Sequence, residues 1–416
     1  MANRDRRSPV DEHPATVPNH ATDGTARPPE SRPPASAVSP EARLDADLAV
    51  TITPSLQELG GVFFRLGTVA FGGPAAHIAM MQAEVVERRQ WLTSAALLDL
   101  IGVTNLLPGP NSTELAIHIG YEKRGWLGLL VAGVSFIAPA MGVVWLLAAV
   151  YQRYQAVPQL AGLLYGIQPV VVAIILNALW KLGKKAIKNY PTAIAAGVVL
   201  ICFFLGAHEI LLLVLAGLGV MLYHSVRGLP IGFGLLPLTP LFAQAPVTTP
   251  RSPATPLQVF LFFLKIGSVL YGSGYVLLAF LQRDLVERYG WLTAQQLLDA
   301  IAIGQVTPGP VLTTATFVGY LLAGSPGAIL GTIGIFLPAF LLVGIVNPWV
   351  PKLRQSKLFS RFLDGVNAGS LGLMATVSLT LGQAALTDWL TVALAIATSI
   401  ALLRFKVNPV WLVLLG

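Results

Sequence analysis

Fifty-one residues of this chain recur two hundred positions later. Aligned without gaps, 63–113 and 263–313 share twenty identical residues. The matches include Gly67/Gly267, Gly72/Gly272, Glu87/Glu287, Arg88/Arg288, Trp91-Leu92-Thr93/Trp291-Leu292-Thr293, Asp99/Asp299 and Pro108-Gly109-Pro110/Pro308-Gly309-Pro310. One residue then drops out, and the register continues through Gly120-Tyr121/Gly319-Tyr320, Pro139-Ala140/Pro338-Ala339 and Gly166/Gly365. Shared composition scatters Leu and Ala matches. It does not align Trp-Leu-Thr, Asp and Pro-Gly-Pro in one register. The chain is read as a duplication, with halves at 54–224 and 256–416.

The repeated unit is built for lipid. Of 416 residues, 54% are apolar and 11% charged, against about 25% charged in soluble domains. Mean hydropathy is +0.68. Apolar runs approaching 20 residues lie at 126–150, 160–180, 192–207, 209–223, 327–347, 368–386 and 389–403, near the ~20 needed to span hydrocarbon. A large soluble helical protein lacks the polar surface to cover such a core. The expected class is an all-α polytopic membrane protein. Residues 1–53 differ: they are rich in Pro and Ser, hold six Arg against eight Asp plus Glu, and read as a disordered tail. They have no signal-type apolar core and no polybasic nucleic-acid arm. The single cysteine, Cys202, excludes an internal disulfide, and the six His stand at no ligand spacing. No metal and no cofactor is expected.

Charge placement points to inversion. In the first half, basic residues follow the second element (Lys123, Arg124) and the fourth (Lys181, Lys184, Lys185, Lys188). In the second half they follow the third (Lys352, Arg354, Lys357, Arg361) and the fifth (Arg404, Lys406). Cytoplasmic loops collect Lys and Arg, so the bias on opposite parity places the halves upside down to each other. An odd number of crossings must then separate them. The linker 225–255 carries the candidate extra crossing, 229–245.

Each half also breaks two apolar stretches near their centres. The first half breaks at Phe71-Gly72-Gly73-Pro74 and at Pro108-Gly109-Pro110. The second breaks at Tyr271-Gly272-Ser273-Gly274 and at Pro308-Gly309-Pro310. Flanking helices of about 14 residues reach roughly 21 Å, short of about 30 Å of hydrocarbon. Each pair is either a re-entrant hairpin or one discontinuous span. Broken backbone at membrane depth survives only where protein or a water-filled cavity covers it. Proline suits the start of a new helix, whose free N–H groups attract an anion. Isolated Gly and Pro merely kink membrane helices. Four breaks at duplicated positions favour a shared central site, the arrangement of paired-repeat secondary transporters.

The candidate site residues follow from this placement. Arg65 and Lys265 precede the first breaks and suit a small oxyanion; otherwise they snorkel to the interface. Gly72, Gly73, Pro74, Pro108, Gly109, Pro110, Gly272, Ser273, Pro308, Gly309 and Pro310 form the elbows. His77 lies one turn into the new helix. Asn105/Gln305 and Thr113/Thr313 offer neutral hydrogen bonds. Glu114 and His118, four apart on one face, and Asp99/Asp299 are candidate proton carriers; capping or pairing within the repeat is the alternative for the aspartates. Glu84, Glu87, Arg88 and their repeats read as a charged interfacial helix end, with Trp91 and Trp291 in an aromatic belt.

"FGGPAAHIAMM", "EVVERRQWLT" and "LPGPNSTE", with "GQVTPGPVLTTATFVGY" in the second half, resemble the signature of the chromate ion transporter family. The resemblance covers 56–416. It implies a two-domain, long-chain carrier of the inner membrane, exporting chromate and conferring chromate resistance on the proton motive force. It carries the family motif onto Gly72, Gly73, Pro74, Pro108, Gly109, Pro110, Gly272, Pro308, Gly309 and Pro310. The second half departs from Gly-Gly-Pro with Gly272-Ser273-Gly274. Expected partners are a small oxyanion (chromate or sulfate), protons and membrane lipid, with no nucleic acid; a homo-oligomer is open. The residues alone reach a small anion carried through a paired-repeat site. Sulfate or other oxyanion uptake and an anion channel are the alternatives. A membrane enzyme finds no nucleophile-base pair, metal cluster or phosphate loop.

Overall fold

The computed structural model describes residues 53–71, 73–154, 158–225, 253–271, 274–347, 356–405 and 407–415. The N-terminal tail, the candidate crossing at 229–245, and Gly72, Gly272, Ser273, Lys352, Arg354 and Lys406 lie outside the described residues. Among the described residues there are helices and no strands.

The first half runs α1 (Leu56–Val69), α2 (Pro74–Gln82) extended by a π-helical turn (Ala83–Arg88), α3 (Ser94–Thr104), α4 (Asn111–Tyr154), α5 (Pro158–Ala186), α6 (Tyr190–Phe204) and α7 (Glu209–Ser225). The second half repeats it. It runs α8 (Pro256–Val269), α9 (Leu277–Phe280) extended by a π-helical turn (Leu281–Arg288), α10 (Ala294–Val306), α11 (Thr314–Val346), α12 (Lys357–Ala385), α13 (Trp389–Arg404) and α14 (Pro409–Leu415). Local signals recur with the elements. Thr93 caps α3 and Thr293 caps α10 through side-chain acceptance of a backbone N–H. Capping boxes start α6 (Asn189, Thr192) and α13 (Asp388, Thr391). Such caps satisfy helix-end donors that lipid cannot.

The first break in each half is a hairpin, not a span. Arg89 of the segment after α2 pairs with Glu58 at the start of α1, and Arg65 pairs with Glu84 further along. His77 Nε2 reaches Ala70 O at 3.1 Å beside the elbow. These pairs close in order, so the chain doubles back. Lys265 and Asp284, 3.0 Å apart, do the same in the second half. At the second break of the second half, a Cβ on Gly304 would lie 2.4 Å from Thr314 Oγ1, so α10 folds back on the chain that follows it.

α4 and α11 are themselves bent double. Arg124-Gly125 and Ala323-Gly324 leave helical geometry, with Gly125 at φ +57° and Gly324 at φ +61°. Past each turn the arms meet on glycine: Gly120 against Gly128, and Gly319 against Gly327. Thr316 and Thr332 hydrogen-bond across the second pair at 2.7 Å. Small residues let membrane helices approach closely.

Inversion is visible in the packing between halves. The arm 126–154 of α4 lies antiparallel to its counterpart in α11, with Trp126 on Gly344 and Gly133 on Phe340. α5 lies antiparallel to α12, with Lys188 bonded to Asp364 and Gly183 near Leu371. Equivalent helices of two inverted repeats must run oppositely. α5 runs parallel to α13, its first turns tied to α13 by the Tyr165 hydroxyl donating to Asp388. The basic ends consequently collect together: Lys123 and Arg124, Lys181 to Lys188, Lys357 and Arg361, and Arg404 stand at one end of the bundle. Helices Asn111–Tyr154, Tyr165–Ala186 and Val311–Val346 are long and apolar enough to cross a membrane.

Two expectations about charged ends and aromatics need correction. Trp91 is 1% exposed and packs in the core with Phe63, Leu97 and Phe136, not in an interfacial belt. Glu84 is likewise buried, because three arginines converge on it: Arg65, Arg88 and Arg89. The folded-back hairpin covers both residues.

Candidate functional site

The elbows of opposite halves meet inside the bundle. The backbone N–H of Gly309 donates to the carbonyl of Ala70 at 2.9 Å. A Cβ on Gly309 would stand 2.6 Å from Ala140 Cβ, and one on Gly109 3.5 Å from Ala339 Cβ. Ala140 and Ala339 are themselves repeat equivalents. Each Pro-Gly-Pro elbow thus docks on the Pro-Ala step of the other half. Tyr271, from the second half's first elbow, shares a cavity with Asn105 and Asn111 of the first half. Each of the four breaks brings a residue within or beside it to these contacts: Ala70, Gly109, Tyr271 and Gly309.

New helices start at the breaks, as the prolines predict. Pro74 opens α2, with Gly73 at φ +81° as its cap. Pro110 precedes α4, whose first intrahelical acceptor is the Pro110 carbonyl, bonded by Glu114 N at 2.9 Å. Asn105 makes a neutral hydrogen bond beside the break: its Oδ1 accepts from Asn111 Nδ2 at 2.8 Å, stapling the elbow closed. Val311 replaces Asn111 in the second half, which cannot make this clip.

His77 is 2% exposed. Its Nε2 faces Ala70 O, which only accepts, so Nε2 carries the proton. Its Nδ1 lies 3.2 Å from Ser112 Oγ. The side chain therefore ties the first elbow to the start of α4. Glu114 and His118 are 0% and 1% exposed, and none of their four polar side-chain atoms has a hydrogen-bond partner. Glu114 Oε1 sits against Gly109, where a Cβ would approach to 2.4 Å. Buried polar groups are rarely left alone unless a ligand, ion or water meets them. Thr113 Oγ1 is buried and unpartnered too, whereas Thr313 Oγ1 donates back to Pro310 O at 2.8 Å.

Arg65 and Lys265 each stand on the first arm of a hairpin and face a carboxylate on the second. Arg65, with its side chain half exposed, pairs with Glu84. Lys265 pairs with Asp284 and lies 3.9 Å from Glu209 of α7. Arg283 adds a further tie that sequence reading did not single out. It donates to Ala207 O at 2.6 Å and Gly206 O at 2.7 Å, and stands 3.6 Å from Glu209. The second half's hairpin is thus clamped to the first half. Among the described residues there is no reverse clamp: Ala83 stands where the second half has Arg283.

The two aspartates diverge. Asp299 is 1% exposed and accepts from Tyr151 at 2.8 Å and Gln168 at 3.0 Å, both from the first half. Its pairing is between repeats rather than within one. Asp99 is exposed on α3. Gln305 lies in α10 just before the second break.

A cavity of about 440 Å³ opens between the halves, lined among others by Asn105, Asn111, Lys185, Tyr271, Asn367 and Ser370. Tyr271 and Asn111 directly adjoin the glycine and proline breaks and were legible by position. Lys185 carried only a topological signal, and Asn367 and Ser370 none. Among the described residues no group of three His, Cys, Asp or Glu is arranged for a metal.

The chromate transporter family model matches residues 57–222 and 257–416. A probable chromate transport protein of Synechococcus elongatus is 32% identical over 83% of this chain and 89% of its own length. The chromate transport protein of Cupriavidus metallidurans is 33% identical over 85% and 89%. That of Pseudomonas aeruginosa is 30% identical over 80% and 83%. No solved structure matches. The duplicated Pro-Gly-Pro elbows, the inverted packing and a family match spanning both halves lead to one conclusion: this chain belongs to the chromate transporter family.

Proposed function

We propose that the chain exports chromate from the cytoplasm across the inner membrane, driven by the proton motive force, and so confers chromate resistance. The two halves alternate access around the elbow region. The observation that carries the reading is the meeting of Pro-Gly-Pro elbows from inverted repeats beside a buried, unpartnered Glu114 and His118. Inverted repeats with broken helices at their interface are the architecture of secondary carriers. The relatives' names supply chromate. The collected basic ends supply the orientation, with that end cytoplasmic.

In this reading the oxyanion loses water to the free N–H groups at the starts of α2 and α4, beside the elbows at Gly73 and Gly109. Arg65 and Lys265 offset part of its charge while their carboxylate partners hold the hairpins in shape. Glu114 and His118 take up the counter-transported proton. Everted vesicles test the whole scheme. Labelled chromate should accumulate inside them and should stop doing so with an uncoupler. Sulfate accumulation in right-side-out vesicles without chromate export would establish uptake instead. Flux indifferent to the uncoupler and linear in substrate would establish a channel.

A further inference from the structure

The 440 Å³ cavity sits where the basic ends of the bundle gather, walled mostly by the end of α5 and by α12, with Asn105, Asn111 and Tyr271 reaching it from beside two of the elbows. Its volume lies within the roughly 300–1,000 Å³ of small-molecule sites. Among the described residues four titratable groups line it: Lys185, Lys188, Asp364 and Tyr271. Lys188 Nζ bonds Asp364 at 2.6 Å, which neutralises that pair. Among the described residues no carboxylate stands within ion-pair distance of Lys185. One positive charge is therefore left for a ligand.

The rest of the wall is neutral and rich in donors. Asn105, Asn111 and Asn367 contribute amides, Tyr271 a phenol, and Ser360 and Ser370 hydroxyls. Ser370 is 3% exposed, and its Oγ has no partner. A hydroxyl buried in an apolar helix without a bond costs stability unless something in the cavity meets it. Asn111 is the first residue of α4, where backbone N–H groups lack intrahelical acceptors and the helix dipole favours negative charge. A net positive charge, a helix start and uncharged donors together suit a tetrahedral dianion that must be held loosely enough to leave.

We infer that this cavity is the cytoplasm-facing loading chamber for a tetrahedral oxyanion, with Lys185 as its counter-charge and Ser370 as a direct hydrogen-bond donor. The inference rests on the transport reading above, and it places first capture on α5 and α12, away from Arg65 and Lys265. Lys185 is exposed, so charge removal there spares the core.

Equilibrium dialysis of the full chain in lipid nanodiscs with labelled chromate, and separately labelled sulfate, reads the chamber directly. Wild type binds, and binding weakens as chloride salt rises. Lys185→Gln weakens binding at least tenfold, Lys185→Arg restores most of it, and Ser370→Val weakens it several-fold. Lys184→Gln, whose ammonium lies over the Trp180 ring, binds as wild type. Wild-type binding with unchanged affinity in both Lys185→Gln and Ser370→Val overturns the chamber and leaves the transport reading standing. A wild-type chain that neither binds nor moves either oxyanion overturns the transport reading itself. Size-exclusion profiles matching wild type establish that each variant is folded.

Discussion

Gly309 and Ala70 are joined by one hydrogen bond, 2.9 Å from the amide of one elbow to the carbonyl beside the other. It ties the second break of one repeat to the first break of its inverted partner. Gly309 sits at φ +91°, and a Cβ there would lie 2.6 Å from Ala140 Cβ and 3.2 Å from Gly67 O. The Ala140 Cβ, fixed directly to its backbone, and the Gly67 carbonyl leave little room to yield.

Gly309→Ala should therefore abolish transport and lower stability by at least about 2 kcal/mol, from left-handed strain and overpacking combined. Gly142→Ala is the contrast. A Cβ at Gly142 meets nothing within 4 Å, and alanine favours the helix. Thermal aggregation followed by fluorescence size exclusion should drop sharply for the first variant and hold or rise for the second.

Removing the two matched cations should have unequal effects. Without Arg65, Glu84 keeps Arg89 at 2.7 Å and Arg88 at 3.4 Å. Without Lys265, Asp284 keeps, among the described residues, only the Arg288 cation at 3.8 Å, and Asp284 is 1% exposed. A buried carboxylate stripped of its close partner costs on the order of 3 kcal/mol. Lys265→Ala should reduce folded yield in membranes strongly, and Arg65→Ala mildly while still impairing chromate export. Equal yields would remove the asymmetry, and unchanged export in Arg65→Ala would remove Arg65 from the transport path.

How much of this was legible from residues alone follows from which signals are local. Pro-Gly-Pro and the glycine pairs announce breaks because they disturb the backbone wherever they stand. The offset of 200 announces a repeat. The parity of Lys and Arg announces inversion, and the antiparallel pairing of α5 with α12 embodies it. Whether a break turns the chain back was not legible, since it depends on pairs such as Arg65 with Glu84 across nineteen residues. Trp91 misled for the same reason: its neighbours Phe63 and Phe136 come from other helices. Ser370 and Asn367 had no pattern to mark them.

The Tyr151–Asp299 bond crosses the halves at 2.8 Å in a buried setting. Tyr151→Phe leaves Asp299 with Gln168 alone at 3.0 Å. Hydrogen bonds to carboxylates contribute about 1.5–3 kcal/mol, so Tyr151→Phe should destabilise by about that much. Asp99→Asn, at the exposed equivalent position, should cost less than Tyr151→Phe, because water screens and replaces contacts at an exposed carboxylate. Thermal midpoints of the purified variants in one detergent check the ordering.

Glu114 offers the sharpest test of coupling. Its carboxyl is fully buried and unpartnered, against the Gly109 elbow and close to Tyr271. His118 stands one turn on, and His77 reaches the same helix through Ser112. Glu114→Gln preserves shape and polarity and removes only the ability to gain and lose a proton. If Glu114 carries the counter-ion, wild-type chromate accumulation in everted vesicles should rise as the lumen is made more acid than the medium. The variant's should not, because no proton can ride back. Downhill chromate flux should persist in Glu114→Gln within about twofold, since the elbows and donors remain. Uncoupler should then cut accumulation in wild type and leave the variant unmoved. A Glu114→Gln protein that still answers the pH gradient would shift proton carriage to His118, and His118→Gln should then show the lost response instead.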